Sequence, residues 1–335
     1  MTQRVIAILT SKRLMRLFAI LTSLGAYIIV LMGAIVTKTG AGQGCGTSWP
    51  ICQGQLIPAT MSVDAVLEYS HRVTSGIDGF LILVLTVWSW LVFRHDGRVK
   101  LLGFMSLFFV VVQGALGALT VMFEGTFALK WLLSLHFGFA LISFASVVLL
   151  TIYLFQLRSG NEQVKALNVG AASKSPKSLQ YAVWGLTAYC YIVVYTGAFV
   201  HHSSATLGCG EQWPGCSTFV PDLSSLPGVQ MLHRYSAALI GLLIVGLLVW
   251  VLRRFRERRD LVRGSWWALV MVLLQGAAGA LTVVSGGQLV VELIHSTLIS
   301  VLFAVLCYLC MQVGWPWKRV ETVEHEQVQV VPSRG

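Results

Sequence analysis

The chain has 335 residues, of which 56% are hydrophobic and only 11% are charged, and its formal net charge is +10. An average soluble domain has about 25% charged residues, so the composition excludes an ordinary soluble protein. The basic excess could indicate a nucleic-acid partner, but its distribution along the chain, described below, excludes that as well.

Long apolar stretches recur along the whole chain. A transmembrane helix needs about 20 predominantly apolar residues. Eight stretches meet this requirement, at about 15–37, 66–93, 100–123, 129–157, 179–201, 228–252, 264–285 and 289–313. We therefore predict an all-α polytopic membrane protein with eight transmembrane helices. The first stretch has the basic lead of a signal peptide, but no small-residue cleavage site follows it, so we expect it to be kept.

The basic residues favour one side of the predicted membrane. With a cytoplasmic N-terminus, 20 of the 24 Lys and Arg residues fall in the N-terminal arm, the even-to-odd connections or the C-terminal tail. The richest cluster is RRFRERRDLVR at 253–263. This positive-inside pattern predicts a multi-pass protein of the cell membrane with both termini in the cytoplasm. It also explains the net charge without nucleic acid.

The chain contains an internal repeat, in which the second half repeats motifs of the first. The matching segments are CGTSWPIC (45–52) with CGEQWPGC (209–216), GAIV (33–36) with GAFV (197–200), and QGALGALT (113–120) with QGAAGALT (275–282). We predict an N-terminal four-helix half at 1–157, a cytoplasmic linker at 158–178, a C-terminal four-helix half at 179–313 and a cytoplasmic tail at 314–335. Because four helices return the chain to the same side, a pseudo-two-fold axis along the membrane normal should relate the two bundles.

Four histidines repeat with the halves. His71 and His136 lie near the starts of the second and fourth helices, and His233 and His295 occupy the matching places in the sixth and eighth. All four are expected one to two turns below the outer surface, where ionisable residues usually mark a site. A structural zinc site needs four ligands, whereas two facing imidazoles suit the iron of a heme. The pattern therefore favours one heme per half.

Two arginines and one carboxylate lie beside these histidines. Arg72 and Arg234 follow the first histidine of each half, where they could bind heme propionates or simply reach the interface. The first half has Glu68 three residues before His71, so both project from one helix face, whereas the second half has neutral Gln230. A helix dipole could offset part of the cost of the buried acid. We favour two sites with different roles: proton or cation chemistry in the first half and a permanent cofactor in the second.

The remaining histidines and cysteines are less informative. Cys45, Cys52, Cys209 and Cys216 fall in outward loops, where disulfides persist. Three other cysteines lie in apolar spans and are expected to act as small hydrophobic residues: Cys190, Cys307 and Cys310. Four histidines without a duplicated partner are expected to be solvated or interfacial: His95, His201, His202 and His325.

The combination of EYSHR at 68–72, the later HR motif, paired histidines and two C-x6-C loops resembles bacterial heme A synthase over residues 15–313. It is the form with two extracytoplasmic cysteine pairs that is found in Bacillus-like bacteria. The resemblance implies oxidation of the methyl group at ring position eight of heme O to a formyl group, giving heme A for terminal cytochrome oxidase. It implies that His233 and His295 ligate a heme B cofactor, that His71 and His136 flank heme O, and that Glu68 is the catalytic carboxylate.

The family also pairs Cys45 with Cys52, and Cys209 with Cys216. The partners that the resemblance implies for this chain are heme O synthase, cytochrome oxidase assembly factors and the lipid bilayer, and no nucleic acid. The sequence does not predict an oligomeric state. Two alternatives stay open: a non-enzymatic diheme electron carrier, and a quinone-linked thiol oxidoreductase, although such enzymes usually use C-x-x-C. A prenyltransferase is discarded because the aspartates are scattered singly along the chain.

Overall fold

The computed structural model describes residues 11–123, 125–126, 128–157 and 175–317. Within these ranges it contains eight long helices: α1 (Lys12–Thr39), α2 (Val63–Val92), α3 (Gly97–Met122), α4 (Ala128–Gln156), α5 (Lys177–His202), α6 (Leu226–Arg254), α7 (Arg259–Val284) and α8 (Leu289–Val313). Each is long and apolar enough to cross a membrane, so the prediction of an all-α, eight-span membrane protein is confirmed. The predicted linker lies outside the described residues from 158 to 174, as does the predicted tail from 318 onward.

Capping residues determine where the histidine-bearing helices begin. The Ser62 hydroxyl accepts a hydrogen bond from the Ala65 amide at 3.2 Å, and the Ser225 hydroxyl accepts one from the Gly228 amide at 3.2 Å. Such N-caps satisfy amides that have no partner within the helix. The caps fix His71 and His233 about two turns inside α2 and α6.

The two halves pack together along α1, α4, α5 and α8. A buried cluster joins Ala26 and Val30 of α1 and Leu141 of α4 to residues of α5, α6, α7 and α8. The hydroxyl groups of Tyr27 and Thr297 also meet between α1 and α8 at 3.0 Å. The halves therefore share one core, while their relation by a two-fold axis stays a prediction.

The outer faces of the helices are apolar. Leu101 and Phe104 of α3 are each 51% exposed, and Leu273 of α7 is 63% exposed. Apolar side chains on the outside of a helix bundle are suited to lipid, which provides no hydrogen-bonding partner. The helices thus expose apolar side chains to the membrane and turn most of their polar groups toward the interior.

Candidate functional site

A cavity of about 1410 Å³ opens between the helices at the end of the bundle that carries the two cysteine loops. Its lining includes the four repeated histidines, His71, His136, His233 and His295. The wall also contains Glu68, and Arg72 and Arg234 reach it from α2 and α6. The structure therefore brings together the histidines, the carboxylate and both arginines singled out in the sequence.

Each of the four imidazoles lies against a glycine of a neighbouring helix. A Cβ atom added to that glycine would lie close to the histidine Cε1, at 3.4 Å for Gly33 and His71, 3.7 Å for Gly117 and His136, 2.9 Å for Gly197 and His233, and 3.0 Å for Gly279 and His295. Ordinary van der Waals contacts of Cβ atoms begin near 3.4 Å. An added side chain would thus press on the ring at Gly197 and Gly279 in the second half, whereas at Gly33 and Gly117 in the first half a Cβ would make an ordinary contact.

Hydrogen bonds in the second half orient His233. The Thr196 hydroxyl lies 2.9 Å from His233 Nδ1 and donates its own proton to the Val193 carbonyl at 2.7 Å. Because that proton is already used, the Thr196 oxygen can only accept from Nδ1–H. The neutral ring then carries its lone pair on Nε2, the tautomer that binds a metal through Nε2.

His295 also has a side-chain partner. Its Nε2 atom lies 3.1 Å from the Gln275 amide nitrogen. Among the described residues, its Nδ1 atom is buried without a hydrogen-bond partner. Both imidazoles of the second half are therefore held by polar neighbours as well as by glycine contacts.

The first half lacks these orienting bonds. Met32 stands where the repeat places Thr196, and the amide group of Gln113 donates to the His136 backbone carbonyl at 2.6 Å instead of to the ring. Within the described part of the chain, the buried Nδ1 atoms of His71 and His136 have no hydrogen-bond partner. Buried polar atoms without a partner are unusual in native proteins, and here they mark groups open to a ligand.

Glu68 is held between the first cysteine loop and Arg72. Its Oε2 atom accepts from the Cys45 amide at 2.8 Å, and its Oε1 atom accepts from Arg72. The same guanidinium donates to the Ser48 carbonyl at 2.5 Å and the Ile51 carbonyl at 2.9 Å. The carboxylate is 4% exposed, yet it is ion-paired and hydrogen-bonded, as a buried charge requires.

Gln230 repeats this arrangement without the charge. Its Oε1 atom accepts from the Cys209 amide at 2.7 Å, and its Nε2 atom donates to the Thr206 carbonyl at 2.7 Å. Arg234 then donates to three carbonyls of the second loop, those of Gln212, Pro214 and Gly215. Glu68 and Gln230 thus each accept a hydrogen bond from the first cysteine of their loop. The two halves differ here because only Glu68 carries a negative charge.

Both predicted cysteine pairs form disulfides, with Cα–Cα distances of 4.5 Å for Cys45–Cys52 and 4.7 Å for Cys209–Cys216. Cys45 and Cys52 are fully buried and pack against Ala65 at the start of α2. The glycine before each pair allows this close approach, because a Cβ at Gly44 would overlap the backbone of α2 and one at Gly208 that of α6. Each loop also contains a cis Trp-Pro peptide bond. The disulfides therefore close the loops, and the two glycines let those loops pack against the helices that carry His71 and His233.

The residues present fit a heme in each half. Within the described ranges, no group of three or more His, Cys, Asp or Glu side chains could hold a bare metal ion. Each half instead offers two partly buried imidazoles beside a shared, mainly apolar cavity, and the iron of a porphyrin can take two axial ligands from the protein.

Sequence reasoning missed a polar cluster between the halves. Lys38 of α1 pairs with Glu292 of α8 at 2.6 Å, and His201 Nδ1 lies 3.8 Å from the same carboxylate. His201 and His202, expected at the interface, also line the cavity. The repeat could not reveal this contact, since Leu133 occupies the place of Glu292 in the first half.

The other single residues lie away from this site. His95 accepts a hydrogen bond from Arg94 in the turn between α2 and α3 at 2.8 Å, and His325 lies outside the described residues. The three remaining cysteines are free: Cys190 and Cys310 are buried, and Cys307 is partly buried.

Comparison with known proteins identifies close relatives over most of the chain. Residues 16–307 match the model of the COX15-CtaA family, described as cytochrome oxidase assembly protein. The heme A synthase of Halalkalibacterium halodurans is 39% identical over 300 residues, which cover 89% of this chain and 97% of that protein. The heme A synthase of Bacillus mycoides is 40% identical over 301 residues, covering 90% and 93%, and that of a Bacillus cereus strain is 39% identical over the same extent.

Proposed function

The chain belongs to the COX15-CtaA family of cytochrome oxidase assembly proteins, and on that premise we propose that it is a heme A synthase. The enzyme acts in the cell membrane on heme O and oxidises the methyl group at ring position eight to a formyl group. The observation that carries this proposal is the cavity shared by two histidine pairs, in which the buried carboxylate of Glu68 lies beside His71 where the second half has neutral Gln230 beside His233. The product, heme A, serves terminal cytochrome oxidase.

The second half is the cofactor site. His233 and His295 would ligate heme B, whose iron would carry electrons; His233 would bind through Nε2, and the Gln275 amide that contacts His295 Nε2 would move aside. The hydrogen bond from His233 to Thr196 supports this assignment, because outer partners that fix the tautomer of a ligating imidazole strengthen metal binding. In the first half, Met32 cannot provide that bond, which suits a site whose heme must arrive and leave.

The first half is the substrate site. His71 and His136 flank heme O, and their Nδ1 atoms lack the orienting partner that Thr196 gives to His233, which suits a ligand that is not held permanently. Arg72 and Arg234 contact the heme propionates. Each guanidinium has donors left over from its loop carbonyls, so it can hold a loop and a propionate together.

Glu68 is the catalytic carboxylate. Conversion of the methyl group to a hydroxymethyl group takes its oxygen from water and releases two electrons and two protons. Conversion of the alcohol to the formyl group releases two more of each, and the four electrons would pass, one at a time, through a bound heme B to an electron acceptor outside the protein. Glu68 lines the cavity and is held by the Cys45 amide and Arg72, so its carboxylate can accept a proton or stabilise positive charge that develops on the substrate.

The membrane orientation follows from the charges. We place both termini in the cytoplasm and the two disulfide loops outside, where disulfides persist. The disulfides close the outer mouth of each half. Burial of Cys45 and Cys52 disfavours the alternative of a thiol oxidoreductase, since a reactive cysteine needs access to its partner.

The test is expression of the chain in a host that makes heme O but lacks heme A synthase. Extraction and chromatography of total heme should then show heme A. Accumulation of heme O alone, with the chain present in the membrane, would contradict the proposal. Two permanent heme B groups in the purified protein would instead support a diheme electron carrier.

A further inference from the structure

Asp78 is a second buried acid in the first half. It is 2% exposed, and within the described ranges neither of its carboxyl oxygens has a hydrogen-bond partner. It lies seven residues after His71, which is about two helical turns, so both side chains project from one face of α2 and both line the cavity. Asp78 is thus about 10 Å deeper in the membrane than His71, near the middle of its helix.

The two halves differ sharply at this depth. When the repeats are aligned on Gly33 and Gly197, the residue of the second half that corresponds to Gly25 is Tyr189. When they are aligned on His71 and His233, the residue that corresponds to Asp78 is Ile240. The Asp78 carboxyl lies directly against Gly25, where a Cβ would overlap it. In the second half, the Tyr189 hydroxyl donates to the Ser236 carbonyl at 3.4 Å. Gly25 with Asp78 is therefore both smaller and more polar than Tyr189 with Ile240.

An unpaired carboxyl group in the middle of a membrane is costly, and such residues usually serve a function. The heme chemistry assigned to Glu68 does not use Asp78, which lies ten residues farther along α2. The surrounding wall is apolar, with Ile82, Leu107 and Val110 among its members. Asp78 therefore presents a carboxyl group to a mainly apolar part of the cavity, with the buried and unpartnered Ser75 hydroxyl one turn before it on α2.

Heme O differs from heme B at one substituent of the ring. Where heme B has a vinyl group, heme O has a hydroxyethylfarnesyl group, which adds one hydroxyl next to the ring and a long isoprenoid chain. This substituent lies on the ring edge remote from the propionates. With the propionates at Arg72, that edge faces away from the disulfide loops and toward the depth of Asp78.

We infer that Asp78 hydrogen-bonds the hydroxyl of this hydroxyethylfarnesyl group, and that the cavity beside Ile82, Leu107 and Val110 admits the start of the isoprenoid chain. Asp78 is then a specificity-determining residue, which lets the first half select heme O against heme B. Tyr189 and Ile240 make the opposite selection in the second half. This inference rests on the proposed function, because it assumes that the first half is the heme O site.

The test uses the full-length protein in lipid nanodiscs, purified from a host that makes only heme B. Heme O and heme B are titrated separately, and Soret absorbance gives the ratio of their dissociation constants. Asp78→Ile should reduce the preference for heme O about tenfold, the equivalent of one hydrogen bond. Asp78→Asn, which keeps a hydrogen-bonding group, should reduce it by less than about threefold.

The double variant Gly25→Tyr with Asp78→Ile recreates the pair of the second half. It should bind heme B as before and lose most of its affinity for heme O. Leu101→Val, at an exposed apolar position of α3, is the control and should leave the ratio unchanged. A ratio unaltered by Asp78→Ile, or an equal loss of both hemes, would overturn the inference.

The outcome is separable from that of the proposed function. If the unaltered chain makes heme A while Asp78→Ile keeps the full preference for heme O, only the role of Asp78 is wrong. If the unaltered chain makes no heme A, the proposed function fails whatever the binding ratio.

Discussion

Replacing Glu68 with Gln separates the chemical role of its charge from its structural role. The second half shows that a glutamine can make the same hydrogen bond to the loop. Gln230 accepts from the Cys209 amide at 2.7 Å, as Glu68 accepts from the Cys45 amide at 2.8 Å. A glutamine at position 68 can therefore keep the loop in place. What it removes is the negative charge beside Arg72.

The structural cost of this change can be worked out from the contacts. Arg72 keeps its bonds to the Ser48 and Ile51 carbonyls and loses one charge-assisted hydrogen bond, worth about 1.5–3 kcal/mol. The loss of heme A formation should be more marked than the loss of stability, because a positioned acid or base contributes about 10²–10⁴-fold to the rate. We expect Glu68→Gln to remain folded with its heme B and to make heme A at least about 100-fold more slowly.

The assay measures heme A formed per folded protein, with thermal stability and heme B content recorded on the same sample. Gln230→Glu is the matched control: it alters the same contact in the cofactor half and should change heme A formation little. Near-normal activity of Glu68→Gln would refute the catalytic role. A loss of activity that merely follows the loss of folded protein would show that the carboxylate is structural.

Three further predictions concern the ligand, the loops and the contact between the halves. Thr196→Val removes the partner of His233 Nδ1 and should weaken heme B binding about 10–100-fold; a normal heme B content after dilution would contradict the assigned tautomer. Replacing Cys45 and Cys52 with Ser should lower the free energy of unfolding by about 2–3 kcal/mol, and undiminished heme A formation per folded protein would leave this disulfide a purely structural role. Lys38→Met and Glu292→Gln should show a coupling energy above about 0.5 kcal/mol in a double-mutant cycle of thermal stability, whereas additive effects would show that this ion pair does not join the halves.

The sequence predicts the helices well because an apolar stretch long enough to cross a membrane can adopt few structures other than a transmembrane helix. Helix α1 begins at Lys12 and α5 at Lys177, each within three residues of the prediction. The repeat then predicts which histidines share a half, since duplication fixes both their order and their depth. These features depend on local pattern and on parity, which a single sequence contains.

Contacts that depend on the packing of distant helices could not be predicted in this way. Thr196 is one of many hydroxyl residues in apolar helices, and only the structure places it on His233. Asp78 appeared as one scattered aspartate, because burial and the absence of a partner are not visible in sequence. Arg72 was expected at heme propionates, and its bonds to loop carbonyls depend on the path of the 45–52 loop.

The central claim is that each half binds one heme between its own pair of histidines. Its most direct test is heme extraction from the purified protein and from His71→Ala and His233→Ala, all expressed in a host that makes heme O. We expect His233→Ala to lose heme B, while His71→Ala keeps heme B and loses heme O and heme A. Purified protein without Soret absorbance, or loss of heme B from His71→Ala but not from His233→Ala, would contradict it.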